Sequence, residues 1–319
     1  AHGTTNPWGL DFDGYGEAFI SNCVIAHLWH AVPGARFERM FGSDPNPYAY
    51  QLMATIADHL HWGGGHWTSS RGGQGVHSVA GGGHAHAGLA IARHPDLPAE
   101  INGCALMANI HGKRVNADFL QPNGSSYKAT HRPDPIQSDD PWFRGLIVTQ
   151  GPDASILVTD WNDTGECHNY EVTDGVTGRI YRVVPETVRD KGIRPANLSS
   201  IKLVDLLACG DAWLEEQARN ALRSRFDHGA LGAEKAAVRD SLEKKATSRD
   251  AEGRTRLTAI WALLVTGGVP AGVLDNSVND PDEAVRSWGA RLGLASRVAR
   301  WVARVKEGDR KSTRLNSSH

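Results

Sequence analysis

The sequence has no apolar run approaching the ~18 residues that a membrane-crossing helix requires, so no segment of it reads as a helical span. Nor does it carry an excess of one charge. Its 34 Lys and Arg stand against 36 Asp and Glu in 319 residues, which excludes a basic nucleic-acid-binding surface and a polyanionic tail as organising features. The four cysteines, Cys23, Cys104, Cys167 and Cys209, form no C-x-x-C pair. A zinc ribbon, a thioredoxin-type site and covalent c-type haem attachment within the chain are thereby excluded. There is no G-x-S-x-G elbow for acyl transfer, and neither a P-loop nor a Rossmann glycine phrase for nucleotides. The ten Trp lack a basic partner stripe, which argues against stacking on single-stranded nucleic acid. What remains is 40% apolar and 22% charged, enough to bury a core.

The ends read as cut. The first residues, Ala1 to Pro7, have no initiator Met, basic n-region or apolar h-region. Asp309 to His319 (DRKSTRLNSSH) reads as a translated sequencing adapter, the scar of an assembled environmental sequence, and is excluded from fold reasoning. The expectation is an internal fragment of a longer protein.

Composition changes near residue 185. Of 35 glycines, 24 precede it, as do 13 of the 15 histidines. The first part is rich in Gly, Pro, Trp and short alternating runs, the second in Ala, Leu, Arg and Glu at helical spacing. Three phrases repeat in the first part: Trp8 to His30, Ala87 to Phe119, and Arg144 to Val183. Each holds short β-runs joined by Gly/Asp turns, the grammar of a propeller blade. Three such units cannot close a ring, so the missing blades are expected upstream. In the second part Ser199 and Asp211 are candidate helix caps, and Leu257 to Val265 is a strongly apolar helix. The Asp280-Pro281 start of the phrase ending at Leu292 has the look of a HEAT-type repeat. The expected fold is therefore an all-β partial propeller (1–184), a linker (185–198), and all-α HEAT-like repeats (199–308), with 309–319 as the artefact.

The histidines of the first part fall in phrases. These are Asp58-His59-Leu60-His61-Trp62, Gly83-His84-Ala85-His86, Ile110-His111-Gly112-Lys113-Arg114, and Asp160-Trp161-Asn162-Asp163 running on to Cys167-His168. On a strand, His-x-His places both imidazoles on one face, where they could ligate a metal, flank a substrate, or simply hydrogen-bond as a structural pair. Asp160 and Asp163 offer hard oxygen ligands suited to calcium. Asp160-Trp161 equally suits a structural Asp-Trp that ties turns together at a strand end.

Six phrases together resemble one family: NPWGLDFDGYGEAFISNCVIAHLWHAVPG, QLMATIADHLHW, GGGHAHAGLAIA, ANIHGKRVNADFL, DPWFRGLIVTQGPDASILVTDWNDTGECH and TGRIYRV. It is the PVC-type haem-binding family of planctomycete and verrucomicrobial membrane-bound dehydrogenases, and the similarity covers about Asn6 to Val184. The resemblance implies an extracytoplasmic (periplasmic or secreted) protein. It would have a propeller like that of soluble pyrroloquinoline-quinone (PQQ) sugar dehydrogenases, then HEAT-like repeats, then a cytochrome c domain of the same full-length protein carrying haem c. This chain has no Cys-x-x-Cys-His, so any haem belongs to that further domain.

On this reading the chain is part of a quinoprotein-like dehydrogenase that oxidises a sugar or other alcohol, with PQQ and calcium as cofactors. His84 or His86 is then the expected base. His59, His61, His111 and Arg114 are expected to line the cofactor cavity, and Asp160 and Asp163 to hold calcium. The alternative is a non-catalytic binding module for a glycan or a protein, in which the histidines only hold loops. A metal-dependent hydrolase using the same His/Asp set is a third reading. The discriminating observation is whether the imidazoles of His59, His84, His86 and His111 converge.

Overall fold

The computed structural model describes residues 2–298 except 44, 45, 47–50, 162, 163, 166–173, 175, 187 and 189–191. It divides into two compact units, Ala1–Ile193 with Gly210–Trp213, and Arg194–Cys209 with Leu214–His319.

The first unit holds three small antiparallel sheets. One runs in the order β1 (Pro7–Phe12), β2 (Ala18–Asn22), β3 (Leu28–Ala31). The β1–β2 turn is closed by Asp13, whose Oδ1 accepts from the amides of Tyr15 and Glu17. A second sheet runs β4 (His86–Ile91), β5 (Cys104–Asn109), β6 (Arg114–Asn123), β7 (Ser126–Gln137). The third runs β8 (Gly145–Gln150), β9 (Ile156–Asp160), β10 (Arg179–Val183).

The four-stranded sheet is covered on both faces. Every residue of β4 and β5 is buried, and β5 alternates between two cores. Cys104, Leu106 and Ala108 pack with Phe143, Val148 and Val158, whereas Ala105 and Met107 pack with Phe19, Leu28 and Ile91. This period-2 division between two apolar layers is why β5 reads as a continuous apolar run with small residues rather than as an apolar–polar alternation.

The architecture corrects the expectation of an all-β partial propeller followed by all-α HEAT-like repeats. The fold is mixed α/β, and no closed propeller is present among the described residues. The repeated β-phrases do fall on strands of the three sheets. Short β-runs with Gly/Asp turns specify hairpins equally well whether or not sheets are arranged around an axis, so that grammar alone cannot specify a ring. Between β3 and β4 the described residues form loops, a 3-10 turn (Trp67–Ser70) and a short helix α1 (Val76–Ala80), with no further sheet among them.

The second unit is helical: α2 (Ser200–Leu206), α3 (Ala212–Asp227), α4 (Glu234–Thr247), α5 (Gly253–Val265), α6 (Ala271–Ser277) and a further helical run over 283–298. Helices α2 and α6 have seven residues each, short for the paired helices of a ~40-residue repeat. Ser199 caps α2 through the Lys202 amide. Leu257, Ile260 and Leu263 of α5 are fully buried against Leu203, Leu222 and Leu242. No helix among the described residues is long and apolar enough to cross a membrane.

Asp280, at the head of the phrase that looked HEAT-like, forms a buried bidentate pair with Arg256. Its carboxylate oxygens accept from Nε at 2.9 Å and Nη2 at 2.7 Å, and both residues are under 5% exposed. Removing one partner leaves a buried charge uncompensated. Asp280→Ala should therefore destabilise the helical unit by about 3–5 kcal/mol, seen as a lower urea midpoint by far-UV circular dichroism. An unchanged midpoint would show that the pair contributes nothing.

Candidate functional site

Four segments of the first unit converge on Asp118, which is fully buried on β6. Along that strand Arg114, Asn116 and Asp118 alternate with Val115, Ala117 and Phe119. One face of β6 is thus polar and the other apolar, although the strand's first five residues are all buried. The β6–β7 register places His131 directly beside Asp118.

Segment 56–61 is strapped onto β7, where Ala129 donates its amide to Ile56 and accepts from Asp58 through its carbonyl. This carries His59 and His61 over the Asp118 carboxylate. The β2–β3 turn carries His27 and is pinned to the start of β4, since the Val24 amide donates to the His84 carbonyl. His86 enters from β4.

The result is a stack of imidazoles around one carboxylate. His27 Nε2 lies 2.6 Å from Asp118 Oδ2, while His61 Nε2 and His59 Nε2 lie 3.0 and 3.2 Å from Oδ1. His61 Nδ1 is 2.7 Å from His86 Nε2, and the His27 and His61 rings stack with centroids 4.0 Å apart. At the rim His131 stacks on His59 with centroids 5.3 Å apart, and its Nε2 lies 3.1 Å from Asp134 Oδ1.

Electrostatics follow from burial. Burial, then the charge of His27, pushes His61 down to about 3, and burial likewise holds His86 well below the usual histidine range. Both imidazoles are neutral at pH 7. Burial alone would raise Asp118, but His61 and His27 more than offset it and hold the carboxyl ionised, well below the usual range. Burial works to lower His59 too. Its hydrogen bonds to Asp118 and Asp58 outweigh that and raise it.

Of the residues singled out from the sequence, His59, His61 and His86 meet at Asp118. His84 does not join them. It lies in a bend before β4, where strand alternation does not operate, and its Nδ1 instead meets Ser70 Oγ at 2.6 Å. His111 packs edge-on against His84, with centroids 4.5 Å apart. Two neighbouring histidine groups therefore replace the single set.

Arg114 is buried. It donates to the Gly112 carbonyl, to Ser78 and to Asp134 Oδ2 at 3.0 Å, holding the carboxylate that contacts His131. Asp160 sits at the end of β9 in another sheet, where its Oδ1 accepts from the Arg144 amide. Asp163, Cys167 and His168 lie outside the described residues.

Reading the sequence missed His27, Asp58, Asp118, His131 and Asp134 as site residues. A usable signal was present in the Arg-x-Asn-x-Asp alternation of β6, which places polar groups at period 2 in an otherwise apolar strand.

The glycines around His84 have a backbone reason. Gly82 and Gly83 have φ of 113° and 147°, and a Cβ on either would stand 2.5 Å from Gly112 Cα or 2.6 Å from His111 Cβ. Close approach of these two loops is what seats His111 in the interior.

Burial also holds His111 at about 3, with the charges of His84, Arg144 and Arg71 adding to the effect. A histidine lowered in the folded state binds its proton only when unfolded. Its stabilisation is therefore complete above an unfolded pKa of ~6.5 and is lost as pH falls toward the folded value. Between pH 7 and 5 this one group should cost about 2 kcal/mol. Urea unfolding of His111→Gln should show a correspondingly smaller loss between those pH values than the unaltered chain, and an equal loss would show that His111 is not buried neutral.

The model of one family, described as a domain of unknown function (DUF7133), matches residues 1–187, and the chain belongs to that family. No curated protein matches the chain. Among solved structures it is similar to a Thermus thermophilus protein provisionally assigned as an oxidoreductase (glucose dehydrogenase). The two are 18% identical with a TM-score of 0.35, the alignment covering 56% of this chain and 45% of that one. The chain thus spans less than half the length of that relative.

Proposed function

We propose that this DUF7133 member supplies the catalytic centre of a dehydrogenase acting outside the cytoplasm on a hydroxyl of a sugar or other small alcohol. The observation that carries the reading is the His131–Asp134 pair at the rim of the buried imidazole cluster. An ionised carboxylate only accepts hydrogen bonds, and hydrogen bonds from His131, Asn116 and Arg114 outweigh burial to hold Asp134 ionised. His131 Nε2 must then be the donor, so that in the neutral imidazole the lone pair is on Nδ1. His131 is 30% exposed, whereas Asp134 is 11% exposed and is held by Asn116 at 2.8 Å and by Arg114. An accessible base oriented by a fixed carboxylate is the arrangement that proton abstraction needs.

Oxidising a carbinol removes the hydroxyl proton and a hydride from carbon. His131 Nδ1 takes the hydroxyl proton, and the hydride passes to a two-electron acceptor outside this chain. That acceptor would then release its electrons one at a time to the haem c of a cytochrome domain of the full-length protein. His86 lies behind the site against His61, and Arg114 acts through Asp134 as a positioning residue.

The residues assigned to the quinone fit it poorly. PQQ is a tricarboxylate and calls for cations with open donors. Arg114 spends its donors on Gly112, Ser78 and Asp134. Asp160, assigned to calcium, accepts a backbone amide in a different sheet. No step here runs through that cofactor.

The test is dye reduction by the full-length gene product across a panel of sugars and alcohols. Substrate-dependent reduction is expected, with His131→Gln lowering kcat by ~10²–10⁴-fold and changing KM little. An unaltered kcat in that variant would remove His131 as the base. A folded, haem-loaded protein that reduces no dye with any substrate would leave a non-catalytic binding module for a glycan or protein as the better reading.

A further inference from the structure

Three potential ligand atoms around Asp118 converge on one point. Asp58 Oδ1 lies 2.7 Å from His59 Nδ1, and a carboxylate can only accept, so His59 carries a proton on Nδ1. Its Nε2 faces Asp118 Oδ1 at 3.2 Å and His61 Nε2 at 3.1 Å. On the other side, His61 Nδ1 shares one hydrogen with His86 Nε2 at 2.7 Å, and His61 Nε2 faces the same carboxylate oxygen at 3.0 Å. In the metal-free chain protons bridge these nitrogens to Asp118, and a metal ion can take the place of those protons.

The distances have the dimensions of a coordination face. His59 Nε2, His61 Nε2 and Asp118 Oδ1 form a triangle with edges of 3.0, 3.1 and 3.2 Å. Ligands ~2.0–2.1 Å from a tetrahedral zinc ion lie roughly 3.3 Å apart. The ligating atoms of these three residues and of His27 all fall within 4.8 Å of one another.

We propose that His59, His61 and Asp118 form a site for one divalent first-row transition ion of the zinc and iron class. Two imidazoles and one carboxylate suit that class better than calcium or magnesium, which favour all-oxygen sites. The outer partners are those such a site requires. Asp58 fixes the His59 tautomer, His86 fixes that of His61, and His27 holds the second oxygen of Asp118. Three protein ligands leave a further position, and the side on which His59 and His131 are 20% and 30% exposed is where an outside oxygen could reach it. The inference stands on these distances, whatever reaction the protein catalyses.

The test is a metal titration of the full chain after chelation, using Zn(II) with a competing indicator and Co(II) by its visible absorption. One equivalent should bind tightly. His59→Gln should weaken binding by on the order of 100-fold or more, and Asp58→Asn, which keeps all three ligands, by ~10–100-fold. His59 is partly exposed, so its variant tests the site where the buried Asp118→Asn risks misfolding. His66→Gln, at the exposed residue that caps the 3-10 turn, should bind as the unaltered chain does.

Folded protein that binds no equivalent, or His59→Gln that binds as tightly as the unaltered chain, would overturn the site. The second result would assign the ion to surface histidines. A site confirmed by titration in a protein that oxidises nothing would overturn only the dehydrogenase reading. Dye reduction by a chain that binds no metal would overturn only the site.

Discussion

The buried charge of Asp118 is the constraint on which the first unit turns. An ionised carboxylate with no exposed surface costs several kcal/mol unless it is fully partnered. Its partners come from two places distant in sequence: His27 from the β2–β3 turn, and His59 and His61 from the segment strapped onto β7. The strap at Ala129 and the tie between Val24 and His84 look like incidental loop hydrogen bonds when taken singly. Together they deliver the imidazoles to the carboxylate. A segment without regular structure between β3 and β4 is held in place by the electrostatic need of a residue some sixty positions away.

That arrangement also explains what was legible beforehand. Strand positions could be read because short apolar runs between Gly/Asp turns are local signals. Sheet arrangement could not, because whether sheets close around an axis depends on faces meeting at long range. β5 illustrates the limit: its six residues serve two cores alternately, and nothing in Cys-Ala-Leu-Met-Ala-Asn says which apolar partner lies on which side. The same holds for the helical unit. There the Ser199 cap was readable from one residue, whereas the buried pairing of Asp280 with Arg256, 24 positions away, was not.

The two His-x-His phrases show how local conformation decides chemistry from identical spacing. His59 and His61 lie in a loop, yet their Nε2 atoms approach within 3.1 Å because both are drawn to Asp118. His84 and His86 straddle the start of β4, and the bend at His84 sends the two rings to different partners, Ser70 and His61. Strand alternation would have put both imidazoles on one face only if the strand had begun two residues earlier. Spacing was therefore informative about which residues matter and silent about which of them meet.

The polar face of β6 joins the two halves of the site. Asp118 organises the buried imidazoles, while Asn116 and Arg114, one and two steps along the same face, both hold Asp134 and through it His131 at the rim. Asn116 is fixed in turn by Asn109, which also donates to the Gly81 and Gly83 carbonyls. The glycine loop, the buried cluster and the accessible histidine thus share one hydrogen-bonded frame whose geometry is set by the pleat of a single strand. In such a frame Arg114→Lys would not be conservative, since a point charge cannot replace a fork that serves Gly112, Ser78 and Asp134 at once. The position of the rim histidine is consequently determined from within the core, as a site built for reaction or ligation requires and a loop surface does not supply.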